Sequence, residues 1–123
     1  MRLQQFLELH IEQMKVCFNI TNFDIGIQRG ETSNQMEISV DYEYLDAGIV
    51  YDKKIIRSWK DKDTVRILKC LAHELTHILT GELKTNHKKT ECTFYDERAT
   101  EHISRLLYRL YTKEMNEIKT RST

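Results

Sequence analysis

No proline occurs anywhere in the 123 residues. A proline-rich linker is therefore excluded, and no regular element is interrupted by a ring that lacks an N–H donor. Cysteine is scarce as well. Cys17, Cys70 and Cys92 are an odd set without close spacing, which implies reduced thiols in a cytosol-like compartment rather than a disulfide framework. Net charge is also missing, because 19 Lys and Arg balance 19 Asp and Glu. A basic footprint for nucleic acid is absent at the level of the whole chain. No run approaches the roughly 20 apolar residues of a membrane span. The first eighteen residues lack the apolar core and small-residue cleavage site of a secretory signal. Repeats and low-complexity tracts are absent too. With 40% apolar residues the chain can bury a core. The expectation is one α+β domain over residues 1–123, cytoplasmic, with no nucleic-acid or membrane partner.

Helical spacing opens the chain. Over residues 3–18, Leu3, Phe6, Leu7, His10, Met14, Cys17 and Phe18 share a stripe, which predicts an amphipathic helix. His10 on that stripe reads as a histidine at the core edge. The period then becomes two. Phe23, Ile25 and Ile27 alternate with polar residues or glycine, as do Met36, Ile38, Val40 and Tyr42. Both runs predict strands with one buried face. The polar segment Arg29–Asn34, with Gly30, reads as a hairpin loop, and residues 48–52 with 55–58 as a third strand. The sheet expected is a small antiparallel meander.

A second helix is predicted over 65–80, from Val65, Leu68, Leu71, Ala72, Leu75, Ile78 and Leu79, with N-cap candidates at 61–64 and Gly81 just past its end. Residues 82–90 read as a polar, solvated loop. A last helix over 92–118 has its apolar stripe at Ala99, Ile103, Leu106, Leu107, Leu110 and Tyr111.

The chemistry lies on the second helix. His73-Glu74-Leu75-Thr76-His77 is the His-Glu-x-x-His pattern. Residues four apart project from one helix face, so the two imidazoles can share one metal ion, with Glu74 beside them. With five His and twelve Glu, chance yields this pattern roughly once in fifty such sequences. Its place on an independently predicted helix of the right phase adds weight. A catalytic zinc site takes three protein ligands and leaves one position open. On the last helix Glu97 and Glu101 share a face, and either carboxylate could reach across to the two histidines. His102 points about 100° away from Glu101 on an ideal helix and is not counted as a ligand.

With these residues in view, the chain resembles the glutamate-zincin metallopeptidases of the thermolysin-like branch. Asp96-Glu97-Arg98-Ala99-Thr100-Glu101 is similar in character to their ligand-helix motif, Asn-Glu-x-x-Ser-Asp. The element order also resembles small zincins such as the ImmA/IrrE-like peptidases of phages and mobile elements. The Leu-Met-Pro segment that follows the ligand glutamate in that group has no counterpart here. The resemblance implies zinc held by His73, His77 and Glu97. It implies that Glu101 orients His73 and that Glu74 is the general base of peptide-bond hydrolysis by a metal-activated water.

Several roles stay open at this level. Glu101 as ligand, with Glu97 outside, is the competing assignment. Tyr95, His102, Tyr108 and His87 are candidates for stabilising an oxyanion. Residues 47–52 are the candidate strand to receive an extended substrate. Cys70 reads as a small buried filler. The function expected is a zinc peptidase acting on protein or peptide substrates. The alternative is a zincin-like domain that binds zinc and a partner protein without cleaving it, for which His87 could close the metal site.

Overall fold

The computed structural model describes residues 1–81 and 89–122, with side chains over 1–81 and 97–119. The architecture is α+β. Helix α1 spans Leu3–Cys17, strands β1, β2 and β3 span Asp24–Arg29, Met36–Asp41 and Asp46–Tyr51, and helices α2, α3 and α4 span Lys53–Lys60, Thr64–Gly81 and Lys89–Ser122. Among the described residues no helix is long and apolar enough to cross a membrane.

Helix α1 buries Leu7, Ile11 and Met14. It ends where Asn19 turns left-handed at φ 59° and the Ile20 N–H returns to the Lys15 carbonyl at 2.9 Å. Asparagine tolerates that conformation better than most residues, so it serves where glycine usually closes a helix. His10 does pack at the core edge, its ring tilted against that of Phe6 and hydrogen-bonded to Tyr111 of α4.

The sheet corrects the expected meander. Its order is β1-β3-β2, with β1 parallel and β2 antiparallel to β3. Among the described residues only β2 and β3 form a hairpin, in which Asp41 Oδ1 accepts from the Glu43 and Tyr44 N–H groups at 3.0 and 3.2 Å. Arg29–Asn34 is not a hairpin loop. It belongs to a connection over the end of β3, where the Gly30 N–H donates to the Tyr51 carbonyl and the Asp52 N–H to that of Gln35. A Cβ on Gly30 would meet Val50 Cγ1 at 2.6 Å, so any other residue there would force the Val50 side chain to shift. Alternation reports which face of a strand is buried, not which strand lies beside it.

Residues 55–58 are helix, not strand. Asp52 Oδ1 accepts the Lys54 N–H at 2.9 Å and caps α2, and Ile55 and Ser58 then face inward. Asp63 serves α3 in the same way, accepting from the Arg66 N–H at 3.3 Å.

Helix α3 carries the core. Ile67, Leu71, Ala72, Leu75 and Ile78 are all 0% exposed. Burying each large aliphatic side chain contributes about 1.5–3 kcal/mol. Gly81 is the last residue of α3 and its φ is not positive, so it is no left-handed cap. Its lack of a side chain makes room for Tyr42, whose hydroxyl donates to the Ile78 carbonyl at 2.8 Å.

Helix α4 packs on α3 through small polar residues. Thr100 and Ser104 are buried, and the Thr80 and Thr100 hydroxyls meet at 2.7 Å. The expected apolar stripe is therefore buried only in part, with Leu107 packed against the core. Tyr111 is buried, but Ala99 is exposed, and Leu106 and Leu110 are 59% and 57% exposed. Small side chains at the contact let the two helices approach closely.

Candidate metal centre

Buried Ala72, Leu75 and Thr76 fix the rotation of α3. His73 and His77 are thereby turned to the partly open side, their ring centres 4.9 Å apart. Across from them α4 presents Glu97. Its Oε1 lies 3.2 Å from His77 Nε2, and its Oε2 lies 3.5 Å from His73 Nε2. One carboxylate straddles both imidazoles. Zinc–ligand distances of about 2.0–2.1 Å put neighbouring ligand atoms of a tetrahedral site roughly 3.3–3.4 Å apart. The observed spacings bracket that value, so His73, His77 and Glu97 could hold a metal ion.

Glu101, one turn after Glu97, stands behind the cluster. Its Oε2 accepts from His73 Nδ1–H at 2.9 Å, and its Oε1 accepts from Arg105 Nε at 3.1 Å. That bond selects the His73 tautomer whose Nε2 lone pair points to Glu97 and His77. Glu97 thus lies with the two Nε2 atoms, and Glu101 on the far side of His73.

Glu74 lines the same cleft of about 370 Å³, together with Asn34, Met36, Glu37 and Ile38. Burial, then the Glu97 and Glu37 carboxylates, push its pKa up to about 8. Glu37 is itself held low by hydrogen bonds from the Ser33 hydroxyl and N–H. The cleft therefore gathers three carboxyl groups whose mutual repulsion favours a protonated Glu74, and a divalent cation would relieve it.

The strand bordering this cleft is β2. The expectation for residues 47–52 is corrected, because β3 is paired on both sides and has no free edge. β2 occupies an edge of the sheet and pairs only with β3 among the described residues.

Of the oxyanion candidates, the two with described side chains are not at the cleft. Tyr108 lines a different groove, with Lys69 and Arg109, and His102 is exposed outside the cleft lining. His87 lies outside the described residues, as do the side chains of Tyr95, Cys92 and Asp96. Cys70 is half-buried, its Sγ 3.7 Å from Gln35 Oε1, and does not line the cleft. Asn34 and Glu37 are the cleft residues that spacing alone overlooks. Asn34 reads as a loop residue and Glu37 as the solvent face of a strand. Only the edge position of β2 brings them beside α3.

These features define a candidate His2Glu metal centre between two helices and a strand edge. Comparison with known proteins finds no matching family model, no matching curated protein and no matching solved structure.

Proposed function

We propose that this protein is a zinc-dependent peptidase of the glutamate-zincin type, with protein or peptide substrates. The observation that carries the reading is the Glu97 carboxylate astride His73 and His77, with Glu74 in the same cleft. Two imidazoles and a carboxylate are a donor set that suits zinc. Zinc, when bound, supplies a Lewis acid that polarises a carbonyl and lowers the pKa of a coordinated water toward ~7.

The chain's own residues do the rest. His73, His77 and Glu97 hold the ion, and Glu101 keeps the His73 ring in place. The added positive charge draws Glu74 back toward its carboxylate form. Glu74 takes a proton from the attacking water and passes it to the leaving amine nitrogen. The unpaired edge of β2 receives an extended peptide by strand addition, which lays a backbone carbonyl over the cleft. A glutamate placed for proton transfer beside the metal ligands has no function in a purely structural metal site.

The test is peptide hydrolysis by the zinc-loaded protein and its Glu74→Gln variant. The reading expects Glu74→Gln to keep its zinc while kcat/KM falls at least about 10²-fold. Zinc binding with no cleavage of any peptide by the unaltered protein would favour the alternative, a zincin-like module that binds a partner protein.

A further inference from the structure

Beyond Glu101, away from the metal cluster, α3 and α4 enclose a second groove of about 490 Å³. Its lining is Lys69, Glu101, Ser104, Arg105, Tyr108 and Arg109. Three cations therefore face one carboxylate. That carboxylate is already committed, since Glu101 accepts from both His73 and Arg105. The Lys69 ammonium sits 5.8 Å from the centre of the Tyr108 ring. Neither Lys69 nor Arg109 has a carboxylate partner among the described residues. The two halves of this face are thus opposite in sign. The metal cleft carries the Glu37 and Glu97 carboxylates, whereas the groove beside it carries Lys69, Arg105 and Arg109.

The spacing relates the groove to a peptide lying over the cleft. Lys69 precedes His73 by one turn, and Arg105 and Arg109 follow Glu97 by two and three turns. At 1.5 Å per helical residue these offsets are about 6 to 18 Å along the helices. An extended peptide covers that distance in about two to five residues, at roughly 3.3 Å each.

We infer that the Lys69–Arg105–Arg109 groove is a substrate subsite for a carboxylate about two to five residues from the scissile bond. The inference rests on the peptidase reading for its substrate, but the groove itself does not depend on that reading. The carboxylate has two possible sources, an acidic side chain or the C-terminus of the peptide. Lys69 and Arg109, which have no carboxylate partner among the described residues, meet either one by charge-assisted hydrogen bonds, while Arg105 is shared with Glu101.

The experiment uses labelled alanine–glutamine nonapeptides with one glutamate walked through every position, each made as C-terminal acid and as amide. Binding is read by fluorescence anisotropy on the zinc-loaded Glu74→Gln protein, so that cleavage does not interfere. The groove predicts that an acidic peptide binds about tenfold more tightly than the neutral amide, and that rising salt narrows the difference. A gain confined to one glutamate position, in acid and amide alike, identifies the side chain. A gain seen only in the free acids identifies the C-terminus. The doubly substituted Lys69→Glu, Arg109→Glu protein, in which no proposed zinc ligand is altered, should keep its zinc and lose the preference. Equal binding of acidic and neutral peptides, or a preference that survives in that variant, overturns the inference. Cleavage by the unaltered protein is measured on the same peptides. Groove-dependent binding without cleavage leaves the subsite standing and removes the peptidase reading. Cleavage without acidic preference does the reverse.

Discussion

Glu101 touches His73 on the side away from Glu97, and its replacement separates orientation from ligation. In Glu101→Gln the side chain keeps its length but loses its charge, so the 2.9 Å charge-assisted bond to His73 Nδ1 is weakened or lost. The imidazole then becomes less basic and freer to rotate. Loss of such a partner typically costs 10–100-fold in metal affinity. The Glu101 side chain is 46% exposed, so water replaces part of what is lost. The lower end applies, about tenfold or about 1.4 kcal/mol. Competition for zinc against a chromogenic chelator at neutral pH measures the change directly. Affinity within twofold of the unaltered protein would refute the orienting role. Complete loss of zinc, matched by retention in Glu97→Ala, would make Glu101 the ligand and leave Glu97 outside.

Two further outcomes concern stability. Leu75 lies beneath the chemical face of α3 and is 0% exposed, so Leu75→Ala should cost about 2–5 kcal/mol in urea unfolding. A loss under about 1 kcal/mol would show that the site helix is not held by this contact. His10 gives a pH dependence. Burial lowers its pKa below the ordinary 6.5, so the folded state binds fewer protons there than the unfolded chain. The contribution of neutral His10 is complete above about 6.5 and is lost as pH falls through the lowered folded value. The thermal midpoint should therefore fall less between pH 7 and pH 5 in His10→Gln than in the unaltered protein. An equal fall in both would contradict this account of His10.

Much of the site helix is legible in the sequence, because one periodicity carries two messages. The apolar positions of 65–80 predict α3 to within a residue at either end, and the same phase turns His73 and His77 together. The placement of Glu97 and Glu101 on a facing helix is legible for the same reason. Strand pairing is not. Period two identifies the buried faces of β1 and β2 but leaves open that β3 inserts between them. The misplaced edge strand follows from that gap, and with it the absence of Asn34 and Glu37 from the expected cleft. Helix α2 is only eight residues long, too short for its spacing to outweigh its isoleucines, though Asp52 is a cap in plain view. On α4 the packed face is marked by Thr100 and Ser104 as well as by Leu107 and Tyr111. Close helix approach selects small residues there, which a search for hydrophobic stripes passes over.

The most direct test of the account is zinc content. Purified protein, dialysed against zinc and then against buffer, is assayed by elemental analysis beside His77→Ala and Glu97→Ala. The account predicts about one zinc per chain in the unaltered protein and loss of the ion in both variants, with all three folded by circular dichroism. A protein that takes up no zinc, or a Glu97→Ala variant that holds it as tightly as before, would contradict a centre built from His73, His77 and Glu97.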